Sequence, residues 1–193
     1  LQPAHLLADI AGYYLATDTA VRAGRFIPLT PQRIFDTRPD TPAPGHEGRL
    51  APGETIRVQV TGVGDVPTTG VAAIVINLTG ADATAAGFIT AYPTSRQLPL
   101  ASNVNLSGPG DTAPNLAIVP LGPDGAINIH SSHGTHALGD VTGYITNSSA
   151  PSSTTGLFVP LHPTRVFDTR PDETPPGPKG YVPADGTIDI STA

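Results

Sequence analysis

The feature that most constrains this chain is a segment of fifteen residues that it contains twice. "FIPLTPQRIFDTRPD" fills residues 26–40 and "FVPLHPTRVFDTRPD" fills residues 158–172, at an offset of 132. Extending the comparison to 24–61 and 156–193 needs no gap and gives 17 identities over 38 positions. Because a period of this length exceeds a solenoid turn or a propeller blade, each repeat is predicted to be a whole domain.

A second pairing, at an offset of 131, predicts how the repeats divide the chain. "HLLADIAGYY" at 5–14 matches "HALGDVTGYI" at 136–145. We therefore predict the closing strand of a preceding repeat at 1–23, a complete unit at 24–155 and the opening segment of a following repeat at 156–193. The two partial copies could pair within one molecule, or the head of one molecule could accept the tail strand of the next.

Strand patterns fill the predicted complete unit. "TIRVQV" alternates apolar and polar residues, "VAAIVINLTG" is a β-branched run, and Gly-rich and Pro-rich turns separate these segments from later ones. This spacing predicts an all-β fold, an antiparallel β-sandwich or jelly roll. The closing strand is predicted at 136–146. The predicted core contains Ile74, Ile76, Leu78, Ile118 and Val141.

The motifs also carry a resemblance. "FIPLTPQRIFDTRP", "LPLASNVNL", "APNLAIVPLGPDGAINIH" and "GTHALGDVTGYI" resemble a repeat domain of secreted and cell-surface proteins of actinobacteria and related groups. The family pattern reads F-x-P-L-x-P-x-R-[LIV]-x-D-T-R at its start and D-[IV]-x-G-Y at its end. The resemblance implies an extracellular domain with no catalytic residues. His130 and His133 depart from the neutral polar turn expected at that place.

Charged residues recur with the repeat. Asp140 lies within an apolar strand, where a carboxylate is costly unless it has a partner. We predict that Arg38 is that partner and forms a structural ion pair with Asp140. The corresponding pair in the partial copies is Arg170 with Asp9. An alternative is that the arginine binds a carboxylate or a sugar.

Three histidines in "HSSHGTH" form the remaining candidate site. His130, His133 and His136 follow one another at intervals of three residues and could ligate zinc, copper or nickel. The alternative is that they are surface residues, since a strand-turn-strand segment need not bring them together. We predict no cofactor.

Composition excludes several function classes. The chain has no Cys and no nucleophile elbow, so we expect no enzyme activity. It has 10 Lys and Arg against 16 Asp and Glu and no basic cluster, which argues against nucleic acid as a partner. The sequence contains no run of eighteen apolar residues, so no membrane span is predicted. The absence of Cys, Met and Trp and the many Gly and Pro residues favour a secreted, extracellular or cell-surface location.

Two functions fit these features. The first is a structural unit of an extracellular array, stalk or fibre that self-associates or packs with neighbouring repeats. In that case the assembly strand would contain His5, Leu7, Asp9, Ile10 and Tyr13. The alternative is a module that binds carbohydrate or cell-wall polysaccharide, although such modules usually present Trp or Tyr platforms.

Overall fold

The computed structural model describes residues 3–39, 41, 45–171 and 178–189. Within these residues the regular elements are all β-strands and no helix occurs. Every strand pairing is antiparallel. The strands are β1 (Leu7–Leu15), β2 (Phe26–Asp36), β3 (Thr55–Gln59), β4 (Val71–Ala81), β5 (Gly87–Pro93), β6 (Val104–Leu106), β7 (Ala113–Pro120), β8 (Ala126–Ser131), β9 (His136–Thr146) and β10 (Leu157–Asp168).

The chain divides into two compact units. The complete unit is Thr17–Gly156, and the composite unit combines Leu1–Ala16 with Leu157–Ala193. The complete unit begins earlier than the predicted residue 24, because Val21 forms an antiparallel bridge with Ser153 near the end of that unit. The two partial repeats pair with each other within one chain, which is the first of the two arrangements considered above.

Two four-stranded sheets form the complete unit, in the orders β2-β9-β4-β7 and β3-β8-β5-β6. If the eight strands are numbered from the start of the unit, these orders become 1-8-3-6 and 2-7-4-5. This is the strand order of a jelly roll, in which two Greek keys form a double sheet. The prediction of an all-β sandwich with a closing strand at 136–146 is confirmed.

The core of the complete unit lies between the two sheets. Ile74, Ile76, Leu78 and Val141 are fully buried, as predicted. The prediction for Ile118 is wrong, because 63% of its side chain is exposed. Side chains alternate along a strand, and β7 turns Ala117 and Val119 towards the core instead.

The composite unit repeats the pairing of β2 with β9. Asp9 of β1 lies opposite Arg165 of β10, just as Asp140 of β9 lies opposite Arg33 of β2. Beyond the strands, Val182 bridges to Ala4 as Leu50 bridges to Thr135. Within the described residues, however, the sheet of the composite unit has two strands, and no second sheet covers it.

A glycine in each closing strand is required by a phenylalanine on the neighbouring strand. A Cβ on Gly143 would overlap the ring of Phe26, and a Cβ on Gly12 would overlap the ring of Phe158. Packing an aromatic ring over a strand glycine restores contacts that the glycine cannot make. This cross-strand pair explains why both Gly and Phe recur in the repeat.

Candidate functional site

The most strongly repeated side chains meet where β2 ends. We call Arg33, Asp36 and Arg38 the first corner. The Asp36 carboxylate is buried and accepts hydrogen bonds from the backbone N–H of Arg38 (3.0 Å) and from its Nε (3.1 Å) and Nη2 (2.8 Å). Arg38 therefore folds back over the residue two positions before it, and the Asp-Thr-Arg triplet is a turn closed by its own side chains.

Arg33 forms the contact to the closing strand. Its Nε and Nη2 donate to the two carboxylate oxygens of Asp140 at 2.8 and 3.0 Å, and its Nη1 donates to Asp36 at 3.0 Å. The predicted pair of Arg38 with Asp140 is therefore wrong. The reason is the register, which places Arg33 directly opposite Asp140, whereas Arg38 lies beyond the end of β2.

The second corner, which consists of Arg165, Asp168 and Arg170, reproduces these contacts. Arg165 binds Asp9 at 2.7 Å and Asp168 at 3.0 Å, while Arg170 binds Asp168 at 2.7 Å. The predicted pair of Arg170 with Asp9 is wrong for the same reason as in the first corner. In both corners the opening segment is joined to the closing strand by the arginine that precedes the triplet and not by the arginine within it.

The threonine of each triplet completes the corner. The buried Thr37 accepts a hydrogen bond at its Oγ1 from the backbone N–H of Ala137 (2.9 Å), and Thr169 accepts one from Leu6 at the same distance. His5 Nδ1 lies 3.0 Å from Thr169 Oγ1, and the His5 ring stacks on Tyr181 with centroids 4.0 Å apart. Each triplet thus fixes the start of the closing strand.

Electrostatics in both corners favours fixed ion pairs. Burial raises the pKa of Asp36, but the hydrogen bonds from Arg38 and the charges of Arg38 and Arg33 outweigh it and leave that pKa below 3.8. The hydrogen bond from Arg170 lowers the pKa of Asp168 well below its ordinary value. The hydrogen bond from Arg165 lowers the pKa of Asp9. These three carboxylates stay charged at neutral pH, which suits a structural role and not proton transfer.

The three histidines do not form a metal site. His130 lies on β8 with Nδ1 3.0 Å from Thr55 Oγ1, whereas His136 begins β9 in the other sheet and contacts Thr37. His133 lies in the turn between them and contacts Ser132. The described part of the chain contains no group of three or more potential ligands that could hold a metal ion.

A cleft of about 600 Å³ opens where loops of the complete unit meet. Its volume falls within the range of small-molecule sites. Half of its lining residues carry hydroxyl, amide or carboxylate side chains, and Val71, Leu121 and Pro123 are among the apolar ones. The sequence does not indicate this cleft, because its residues come from four loops between strands and from the start of β4. Its polar side chains belong to Thr61, Thr68, Thr69, Ser95, Asp124, Asn147 and Ser149.

The predicted assembly strand is β1 with the residues just before it. Leu7 and Tyr13 are nearly half exposed, Ile10 is half-buried, and Asp9 is held by Arg165. In the described residues β1 pairs with β10 along one edge, and no strand covers its other edge. The structure thus brings Asp9 into a corner and leaves the apolar part of the strand accessible.

Comparisons with known proteins add no assignment to this geometry. None of the described segments forms a helix long and apolar enough to cross a membrane. No family model, curated protein sequence or solved structure matches the chain.

Proposed function

We propose that the protein is a non-catalytic structural unit of an extracellular array, stalk or fibre, and that it assembles through its ends by strand addition. The observation that carries this proposal is the composite unit. It has the corner and strand register of the complete unit, but its sheet has two strands within the described residues. Strand addition would supply the backbone partners that β4 supplies to β9 in the complete unit.

The chemistry of the corners supports a structural role. Each repeated carboxylate is tied to an arginine that spans the opening segment and the closing strand. Corners of this kind hold a domain in shape and leave no acid, base or nucleophile directed at a substrate. The low content of charged residues, 13%, and the absence of Cys and Met suit a durable extracellular material. The resemblance to secreted repeat domains points to the same location.

Sedimentation velocity of the intact chain over a wide concentration range tests this proposal. We expect oligomers whose fraction rises with concentration and that appear as ordered particles by negative-stain microscopy. A chain that stays monomeric throughout would contradict the proposal, because an array needs contacts between molecules.

The hydroxyl-lined cleft favours a second candidate function, the binding of carbohydrate. Side chains of Ser, Thr and Asn can both donate to and accept from sugar hydroxyls. Asp124 adds a carboxylate acceptor, and Leu121 and Pro123 offer apolar contact for a sugar ring. Jelly rolls occur among lectins, although a shared fold does not by itself establish a shared function.

A glycan array with the intact chain tests the second candidate. We expect bound glycans to lose affinity in the double variant Thr68→Val, Ser95→Ala, because both changes remove hydroxyls and nearly preserve shape. Thr30→Val, at an exposed position on β2, is the matched control and should bind like the unchanged chain. Absence of any bound glycan, or equal binding by both variants, would contradict a binding site in this cleft.

A further inference from the structure

Most strands at the edges of these sheets carry the features that prevent further pairing. Proline removes a backbone donor, and charge or shortness also blocks strand addition. The edge strands β3 and β6 are short, with five and three residues. The other protected edges contain two prolines each, namely Pro28 and Pro31 in β2, Pro114 and Pro120 in β7, and Pro160 and Pro163 in β10.

β1 lacks all of these features. Its sequence, "LADIAGYYL", contains no proline, lysine or arginine over nine residues. Its one charged residue, Asp9, is paired with Arg165 and so does not protect the edge. Leu7, Tyr13 and Leu15 remain 44–46% exposed. A long, apolar and unprotected edge is a template for pairing with another chain.

The repeat explains why β1 has the sequence of an interior strand. β1 corresponds to β9, and β9 lies between β2 and β4 in the complete unit. β10 takes the place of β2 beside β1, but no described strand takes the place of β4. The described residues contain one strand of the β4 kind, Val71–Ala81, and β9 already pairs with it.

We propose that the edge of β1 that no described strand covers pairs with the same edge of a second copy of this chain. The two β1 strands run antiparallel about a two-fold axis, so the sheet becomes four-stranded in the order β10-β1-β1-β10. This proposal rests on the proposed function and names one contact between its molecules. A two-fold contact is self-complementary and closes on a pair of molecules, so these pairs are the building blocks that further contacts join into an array.

Charge and side-chain placement favour the β1 edge of a second copy as the partner over another edge such as that of β7. With the axis near the middle of β1, Leu7 lies opposite Leu15 of the second copy and Asp9 lies opposite Tyr13. Leucine then meets leucine, and the two Asp9 carboxylates do not face each other. The β7 edge also exposes Leu116 and Ile118, but prolines lie near both of its ends.

Sedimentation of the double variant Leu7→Lys, Tyr13→Lys tests the proposal. Both side chains are nearly half exposed, so the corner should persist while the added charges prevent pairing. We expect loss of the dimer over the whole concentration range of the intact chain. The matched control is Leu116→Lys, Ile118→Lys on β7, which should dimerise like the unchanged chain. Slow amide exchange of Leu6 and Thr169 checks that the composite unit still folds.

The outcomes separate this inference from the proposed function. A dimer that survives in the β1 variant, or that is lost equally in the β7 control, overturns the inference but leaves assembly intact. A monomeric unchanged chain overturns both. Because the chain has no native Cys, a mixture of Leu7→Cys and Leu15→Cys molecules provides a second test. We expect a disulfide-linked dimer in the mixture and little in either variant alone, and a mixture without this excess contradicts the antiparallel pairing.

Discussion

The first and second corners share their arginine–aspartate ion pairs but have different surroundings. Arginine contacts to the central aspartate are 3.0 and 2.8 Å in the first corner and 3.0 and 2.7 Å in the second. The central aspartates are buried in both. The closing strands differ, however, since Leu138 of β9 is 4% exposed and the equivalent Leu7 of β1 is 44% exposed.

This difference separates two sources of stability. The corner is held by residues close to one strand crossing, so it forms wherever the opening segment meets a closing strand. Burial of the rest of the strand depends on β4, β7 and the second sheet, and among the described residues these elements belong to the complete unit. The comparison therefore predicts equal local effects in the two corners and unequal effects along the two closing strands.

The largest expected effect comes from removing a buried corner carboxylate. Asp36→Ala leaves two arginines without their shared partner and should destabilise the complete unit by about 3–5 kcal/mol. Asp168→Ala should open only the composite unit, which amide exchange at Leu6 and Thr169 would report. Urea unfolding of both variants checks the prediction. Equal loss of stability in the complete unit for both variants would contradict the separation of the units.

The next largest loss of stability is expected from truncating the equivalent leucines of the two closing strands. Leu138→Ala removes a buried side chain and should cost about 2–5 kcal/mol, because it leaves a cavity. Leu7→Ala removes a side chain that is nearly half exposed and should cost less than about 1 kcal/mol. Urea unfolding monitored by circular dichroism measures both, and similar values for the two variants would show that Leu7 is buried in solution.

A smaller effect is expected from one added methyl group. Gly139→Ala would place a Cβ 2.7 Å from the side chain of Ile76 and closer still to the ring of Phe35, so we expect a loss of about 1–3 kcal/mol. The composite unit has alanine at the equivalent position, Ala8, which lies opposite Phe167 in the strand pairing. The thermal midpoint should fall for Gly139→Ala, and an unchanged midpoint would mean that the core there is not close-packed.

The smallest effect is the dependence of stability on pH. The pKa of Asp36 is lowered on folding, so its ion pairs contribute fully above the ordinary carboxyl value of 3.8. As the pH falls below that value and approaches the lowered pKa, the contribution is lost. We expect the thermal midpoint to stay level from about pH 7 to 5 and to fall below about pH 4. Asp36→Asn should flatten part of that decline, and an unchanged decline would argue against the role of Asp36.

The strands were predictable because their apolar residues alternate and β-branched runs mark the central ones. Ile74, Ile76 and Leu78 follow that alternation and are buried. Ile118 belongs to an equally apolar segment, and only the direction in which β7 faces the core decides that Ala117 is buried instead. A short apolar strand does not itself indicate which of its two faces is covered.

The partners within the corners could not be predicted from spacing alone. The recurring triplet predicts Arg38 as the partner of Asp140, but Arg33 also recurs in the repeat, as Arg165. Choosing between them requires the register of β2 against β9, and irregular pairing between Arg33 and Phe35 shifts that register. The loop cleft was missed for a related reason, since its lining residues are distant in sequence.

The recurrence of one strand pair also has a consequence for the order of folding. β1 ends about ten residues before β2 begins, whereas β9 begins about a hundred residues after β2 ends. Closing the short loop costs less entropy, so β1 is expected to pair with β2 faster than β9 does, even though β9 is the native partner of β2. We expect β1 to pair with the edge of β2 first during refolding. Its replacement by β9 then delays formation of the native sheet. The refolding trace should contain a slow phase that disappears when β1 is deleted.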